Sequence, residues 1–323
     1  MPNLVFTPEV LMRIEDNMVR IMMNSWERRE QNLWWRRLMQ TRSTSSKKET
    51  LQWMINTAQI RAQNNGGKTS FEDLMEHFHE IEITNFGDGL TLNANDVKDA
   101  DGAGIRRSAE WATNIASAGA YWPQEQAALL LKNGKVDVGY DGVPFFSANH
   151  PINPVIGAVG GTYSNLITGK PFSTTALTEV YAHIEKIMAP DGKPRGLKPR
   201  IAAGGPDLRA DITQALGAEI TNDPVNPGAS ATNMVKTSYG FAEPLIAQEM
   251  TEAGVWYVGC ELTTGDAGLA GLLYTEREQF SMLSHSVMDD ATLARMEKLQ
   301  WKFSGRNVAS YGHPFLLVRV EPS

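Results

Sequence analysis

Apolar positions in the first part of the chain fall near helical spacing. Val10, Ile14, Ile21 and Met22, with Asn17 among them, share one side while charges fill the other, which predicts an amphipathic helix in a peripheral arm. Trp26, Trp34, Trp35 and Trp53 are unusual in such an arm. They fit ordinary core, and they equally fit anchors that an arm would set on another chain. The run Gln-Asn-Asn-Gly-Gly-Lys-Thr at 63–69 then breaks the pattern. Period-two alternation follows: Ile81 and Ile83 alternate with Glu80, Glu82 and Thr84, and Leu90 and Leu92 alternate with Thr91 and Asn93. The turn-forming stretch Asn85-Phe86-Gly87-Asp88-Gly89 between them predicts a hairpin over 80–93. So few apolar residues cannot give it a core of its own, so it is expected to lie on something else.

Helical spacing returns at 101–119, where Asp101 is placed to cap a helix carrying Ile105, Ala109, Ala112 and Ala116. Pro123 suits the first turn of a second helix through Leu131, ended by Gly134. Residues 136–172 are rich in Gly, Pro, Asn and Ser and too long for a plain connector, so this loop is expected to have a function. From Ser173 the pattern mixes helix and strand. One helix carries Leu177, Tyr181, Ile184 and Met188, a strand covers Arg200–Ala203, and Pro206 opens a helix through Leu208, Ile212 and Leu216. After a polar loop at 221–233, strands are predicted at 234–247, 255–262 and 270–275. A helix near 290–299 precedes strands at 300–308 and 314–320.

Composition adds little to the class but removes several functions. With 42% hydrophobic and 21% charged residues, the chain reads as an ordinary globular protein. A single cysteine, Cys260, rules out an internal disulfide. No signal-peptide pattern opens the sequence and no apolar run reaches membrane-spanning length. The net charge of −7 is uneven: residues 1–61 hold 10 Lys and Arg against 6 Asp and Glu, leaving 20 against 31 elsewhere. A slightly basic arm on an acidic body fits a solvated helix face, and it also fits diffuse contact with nucleic acid.

Candidate chemistry is sparse. His150 with Asp141 nearby has the look of half a catalytic or metal site, but Ser147 lacks a nucleophile-elbow glycine pattern. The ring is expected to satisfy loop carbonyls instead, with Pro151 stiffening the turn. His77 and His79 alternate on the predicted hairpin without a further ligand. Cys260 lies among alternating apolar residues and reads as a packed thiol. Gly157, Gly160 and Gly161 match no phosphate-cradling spacing. No catalytic, cofactor-binding or metal-binding residue is therefore assigned.

Several segments together resemble a known family. They are Glu49-Thr50-Leu51-Gln52-Trp53, the run Tyr140 to Pro151 (YDGVPFFSANHP), Ser164-Asn165-Leu166, Lys198-Pro199-Arg200-Ile201 before Pro206, Trp256-Tyr257, Arg306-Asn307 and Gly312-His313-Pro314-Phe315. In order and spacing they are similar to the Mu-like major head subunits of tailed phages, from about residue 49 to the end. The resemblance implies an α+β chain with the tailed-phage capsid (HK-97-like) fold. The arm would be 1–61, an extended hairpin loop 62–99, a peripheral domain with a spine helix 100–172, an axial domain 173–295, and strands returning to the peripheral domain 296–323. The chain leaves no room for the long extra N-terminal segment of scaffolded or protease-cleaved relatives. No lysine, asparagine and glutamate trio for covalent cross-linking is identifiable.

The implied function is a major capsid protein that self-assembles, as pentamers and hexamers, into the icosahedral head shell around a double-stranded DNA genome. Expected partners are further copies of the chain, packaged DNA through non-specific contact, a portal, and scaffolding or decoration proteins, with no membrane and no cofactor. The 80–93 hairpin and the Trp34–Trp35 pair are expected to contact neighbouring subunits. An encapsulin-like compartment shell is the alternative with the same fold, and a hydrolase the alternative of another class.

Overall fold

The computed structural model describes residues 8–54, 76–93, 95–96, 103–155, 157–222, 230–239, 244–262, 270–284 and 298–322. Helix α1 (Pro8–Glu30) leads through a 3₁₀ turn at Trp35–Arg37 into β1 (Met39–Ser43), β2 (Lys48–Met54), β3 (Glu76–Glu82) and β4 (Thr84–Asn93). The long helix α2 (Ala103–Asn133) precedes β5 (His150–Asn153), β6 (Gly157–Tyr163) and β7 (Leu166–Ile167). Then come α3 (Thr174–Glu185), β8 (Leu197–Gly204), α4 (Arg209–Gly217), β9 (Ile220–Asn222), β10 (Ser230–Thr232), α5 (Met234–Ser238) and β11 (Leu245–Ile246). Strands β12 (Trp256–Leu262), β13 (Leu272–Ser284), β14 (Lys298–Tyr311) and β15 (Leu317–Val320) close the order.

Two larger sheets carry the body. One runs β1-β13-β14-β4, with β1 added parallel to β13 and the other pairs antiparallel. The other runs β11-β8-β12-β15-β7. Separate two-stranded pairs are β2–β3, β5–β6 and β9–β10.

Three apolar clusters tie these layers together. In the first, α1 turns Ile14, Met18 and Met22 onto Ala112 and Ala116 of α2, above Leu299, Trp301 and Phe303 of β14. The inward stripe is centred on Met18, one helical turn from Ile14 and from Met22, rather than on Asn17 and Ile21. The small residues of α2 let the layers close up. A Cβ on Gly119 would fall 2.8 Å from both the Phe303 and the Trp26 rings. In the second and third clusters the five-stranded sheet is buried on both faces, with strict alternation. Ala202, Trp256, Val258, Val318 and Val320 meet α3, α4 and Val235, while Ala203, Tyr257 and Leu317 face the arm, the end of α2 and the Phe145-Phe146 loop.

Several expected elements differ, each for a physical reason. The 80–93 hairpin does not form: β3 pairs with β2 (Lys48 opposite Glu82, Met54 opposite Glu76), and β4 pairs with β14. The glycines read as a turn instead admit β14, since a Cβ on Gly87 would lie 2.5 Å from the Phe303 carbonyl oxygen. Ile81 and Ile83 do alternate inward, and Ile81 packs with Leu273 of the same chain. Pro123 does not start a helix but lies buried inside α2, which packing on either side of it, at Ala116 and Ala127, carries through. The strand expected at 234–247 is the short helix α5 followed by β11. Of the helix expected at 290–299, residues 290–297 lie outside the described residues, and Lys298 already belongs to β14. The two last strands part: β14 joins the four-stranded sheet, whereas β15 joins the other, between β12 and β7. Asp101, expected to cap α2, lies outside the described residues.

The tryptophans of the arm belong to the chain's own core. Trp35 is 3% exposed and its ring lies 5.6 Å from that of Tyr274; Trp34 is buried beside it, in the same cluster as Ala127, Leu131 and Tyr257. This replaces the expectation that they anchor on a neighbour. Trp35→Ala is expected to cost isolated subunits about 3–5 kcal/mol, the usual range for emptying a large aromatic site. Thermal unfolding of unassembled protein checks it: a melting temperature within a degree or two of the parent would return Trp35 to an intersubunit role.

Candidate assembly interface

Three of the segments that carry the family resemblance, 140–151, 164–166 and 312–315, are far apart in sequence but meet in one buried polar hub. His150 is wholly buried, with Nδ1 2.6 Å from Asp141 Oδ2 and Nε2 3.0–3.1 Å from Asn165 Oδ1 and the Phe145 carbonyl. Asn165, also fully buried, accepts from the Ser147 amide at 2.9 Å. Its amide nitrogen donates to the carbonyls of Phe145, Pro314 and Leu317 at 2.7–3.2 Å. One side chain thus holds together the loop after α2, the start of β7 and the turn into β15. His313 of the same region is neutral: burial pulls its pKa down to about 3, with Arg195 and Arg42 pushing the same way.

This geometry is not that of a hydrolase. Nε2 of His150 faces two oxygen acceptors, and Ser147 Oγ instead accepts the Asn149 amide at 3.2 Å. The expectation that His150 satisfies loop groups holds, and its ring also stacks on Tyr163 at 5.2 Å, pinning the base of the β5–β6 hairpin. Gly157 and Gly161 sit in that hairpin with positive φ of 65° and 93°. Cys260 is partly buried in β12, and burial pushes its thiol well up, away from thiolate. His77 and His79 occupy alternate positions of β3, and their side chains lie outside the described residues. Among the described residues no group of three or more His, Cys, Asp or Glu is arranged to hold a metal, and no helix is long and apolar enough to cross a membrane.

Two further polar nodes fix the arm and the end of α2. Glu249 accepts from Trp34 Nε1 at 2.9 Å, from Gln124 Nε2 at 2.7 Å and from the Tyr121 hydroxyl, while Gln124 Oε1 takes the Trp34 amide at 2.9 Å. Burial alone would raise the Glu249 pKa, but these donors outweigh it and hold the carboxylate below its usual range. At the other node Arg319, 2% exposed, pairs with both Glu252 oxygens at 2.8 Å and with Glu321 at 2.8 Å. Lys135 joins Glu321 at 3.0 Å. Arg319 also donates to the Leu131 carbonyl at 3.3 Å, and Tyr311 to that of Leu130 at 2.9 Å, satisfying the open end of α2. Neither node was foreseen: Glu249 sits in a stretch expected to be loop, and Arg319 looks like an outward residue of a strand.

What projects from this body is more informative than any cavity. The β2–β3 pair leaves the four-stranded sheet beside β4, its described base held by Ile81 and by exposed ion pairs of Lys47 with Glu82 at 3.4 Å and of Lys48 with Glu80. In the β5–β6 hairpin β6 is exposed along most of its length, while β5 is largely buried. An arm, a projecting hairpin, a long helix against a sheet, and a second mixed unit form the architecture of tailed-phage capsid subunits.

Residues 14–176 match the family described as "Mu-like prophage major head subunit gpT", half of the chain, and the chain belongs to that family. It is a major capsid protein that forms the head shell, a structural protein of the virion. The match begins in α1, well before residue 49, where the resemblance was expected to start, and beyond residue 176 the fold comparison takes over. The fold is similar to the subunit of the procapsid of bacteriophage JBD30, with a TM-score of 0.54 and 15% identity over 97% of this chain and 75% of that one. It is also similar to the mature capsid of bacteriophage PhiM1 (0.52, 11% identity, 90% of this chain and 86% of that one). A third likeness is to the capsid of a native GTA particle (0.51, 10% identity, 88% of each). At these identities the likenesses concern the fold. A comparison with curated protein sequences finds no significant match.

Two outcomes follow from the nodes. Asn165→Asp keeps the shape but turns a carboxylate oxygen toward three carbonyls, so it should cost on the order of 3 kcal/mol in subunit stability, read by denaturant unfolding. Stability equal to the parent would contradict the hub. Because the Glu249 pKa is depressed on folding, its stabilisation is full above the unfolded value and fades as pH falls through the folded one. Glu249→Gln should therefore melt lower than the parent at about pH 7, and the gap should close toward about pH 3. A gap that stays constant with pH would sink the assignment.

Proposed function

We propose that the chain builds an icosahedral head shell from pentamers and hexamers, enclosing double-stranded DNA, with the β2–β3 hairpin laid across a neighbouring subunit. The observation that carries this reading is the pairing of β2 with β3 alone, as a two-stranded sheet outside both larger sheets. A lone hairpin is marginal in water, so it needs a surface, and in a shell the next copy supplies one. The register supports drawing the extended loop at 48–82 rather than 62–99, with the arm before it. It also supports α2 as the spine, the β1-β13-β14-β4 sheet as the peripheral domain and the five-stranded sheet with α3, α4 and α5 as the axial one.

Packaged DNA meets such a shell through diffuse charge. Arg13, Arg20 and Arg28 are exposed along α1, and the excess of positive charge over residues 1–61 is small. Contacts of that kind are indifferent to base sequence and weaken with salt through counterion release. Assembly in a bacterial cytoplasm, docking to a portal, and help from scaffolding or decoration proteins complete the proposal. No catalytic step and no cofactor enters it.

Removing residues 50–79 and joining the stumps with a short glycine linker leaves β4 and Ile81 in place, unlike removal of 80–93, which would take a strand from the sheet. The variant should stay soluble and fold with the parent's melting temperature. By electron microscopy the parent should form closed shells of uniform diameter and the variant none. Normal shells from the shortened chain would refute the role given to the hairpin.

A further inference from the structure

Two loops of this chain are built alike. Val138–Pro144 and Met188–Pro194 each close with a strand-like bridge, each contains Asp-Gly-Xaa-Pro, and each places its glycine at positive φ, 77° at Gly142 and 76° at Gly192. The hydrogen bonds match as well: Gly139 donates to Val143 and Ala189 to Lys193, both at 2.7 Å, and each aspartate accepts the amide two residues on. The loops meet around His150, Tyr163 and Arg195, at the root of the β5–β6 hairpin.

Two features of this region are unexplained by the single chain. The first is Arg195. Its guanidinium stacks on Phe315 at 4.0 Å, its Nε is sealed from solvent without a hydrogen-bond partner, and among the described residues it makes no ion pair. The nearby Asp191 is taken up by the Lys193 amide at 3.1 Å and the Lys193 ammonium at 4.0 Å. A partly buried cation with no ion pair is costly even with the Asp191 charge acting on it through space, and burial pulls its pKa down. The buried Tyr163 hydroxyl beside it also has no partner. The second is a set of exposed apolar side chains on the two loops and the β5–β6 hairpin. Val136, Val138, Val155 and Met188 are exposed, and Val159 on the hairpin is 95% exposed.

We propose that this face docks a second copy of the chain, with Val159 packing into that copy and one of its carboxylates completing Arg195. The second copy fits because residues 62–323 carry 31 Asp and Glu against 20 Lys and Arg, so carboxylates dominate the body it presents. The exposed valines of the loop and hairpin give a phosphate backbone nothing to bind, which sets nucleic acid behind protein as the occupant. The proposal rests on the shell reading above and adds a contact separate from the β2–β3 hairpin.

Two full-length variants test it, Arg195→Met and Val159→Asp. Methionine keeps the packing on Phe315 and removes the uncompensated charge, so dissociated subunits should melt at or above the parent's temperature. Val159→Asp, at so exposed a position, should leave melting unchanged. Both should lower closed-shell yield about tenfold or more, since a small loss per contact is multiplied over the shell. Sedimentation velocity reads smaller oligomers alongside. Normal shell yield from both variants overturns the proposal. So does a sharp fall in melting for Arg195→Met with normal shells from Val159→Asp, which makes Arg195 ordinary core. Normal shells of Arg195→Met that hold less nucleic acid overturn it in favour of phosphate. If the parent forms oligomers but no shells, the shell reading fails and the variants' effect on those oligomers decides this one; a parent that stays monomeric overturns both.

Discussion

The rest of this subunit depends on the seating of Trp34 and Trp35 where α2, the four-stranded sheet and the five-stranded sheet converge. Both indoles are buried among residues contributed by α2, β8, β12, β13 and β15. Trp34 is then locked through its amide to Gln124 and through its ring nitrogen to Glu249. Large rings fill volume that small α2 residues leave open, and the polar contacts fix their direction. Without that wedge β1 would lose the anchor from which it adds to β13, while α1 keeps its own seat on α2 and β14.

A body held this way is stiff where it is layered and free where it is not. Both faces of the five-stranded sheet are covered, the open end of α2 is capped by Arg319 and Tyr311, and the loop after α2 is tied down by His150 and Asn165. The β2–β3 pair lies outside both larger sheets, and β6 is exposed along most of its length. A shell made of identical chains in slightly different surroundings requires that division. Rigid bodies set the spacing, and weakly supported hairpins absorb the differences.

The sequence showed periodicity reliably and partners poorly. The alternation of Ile81 and Ile83 and the helix from Pro206 were readable, because burial on one side imposes a period that survives any choice of neighbour. The partner of β3 was not, because it lies beyond the polar break, and the glycines of β4 mimic a turn while serving a close strand approach. Pro123 looked like a helix start for a similar reason: local rules cannot see the packing at Ala116 and Ala127 that carries α2 through it. The Asp141, His150 and Asn165 motif was visible as a string of residues, and its role as a buried hub was visible only in part, from the pairing of histidine with loop carbonyls. Arg319 and Glu249 gave no signal, since a charge held by an ion pair or by neutral donors inside the fold looks like a surface charge until its partners are known.

Hydrogen exchange compared between free subunits and assembled shells tests the central claim most directly. The account predicts that amides of Trp34–Met39 and of the α2 segment Ala127–Leu131 are strongly protected in both states. Amides of β2, β3 and the exposed strand β6 should exchange quickly in the free subunit and gain protection only in the shell. Rapid exchange of Trp34–Met39 in free subunits, with protection appearing on assembly, would show that the arm is seated by a neighbour and would contradict the account.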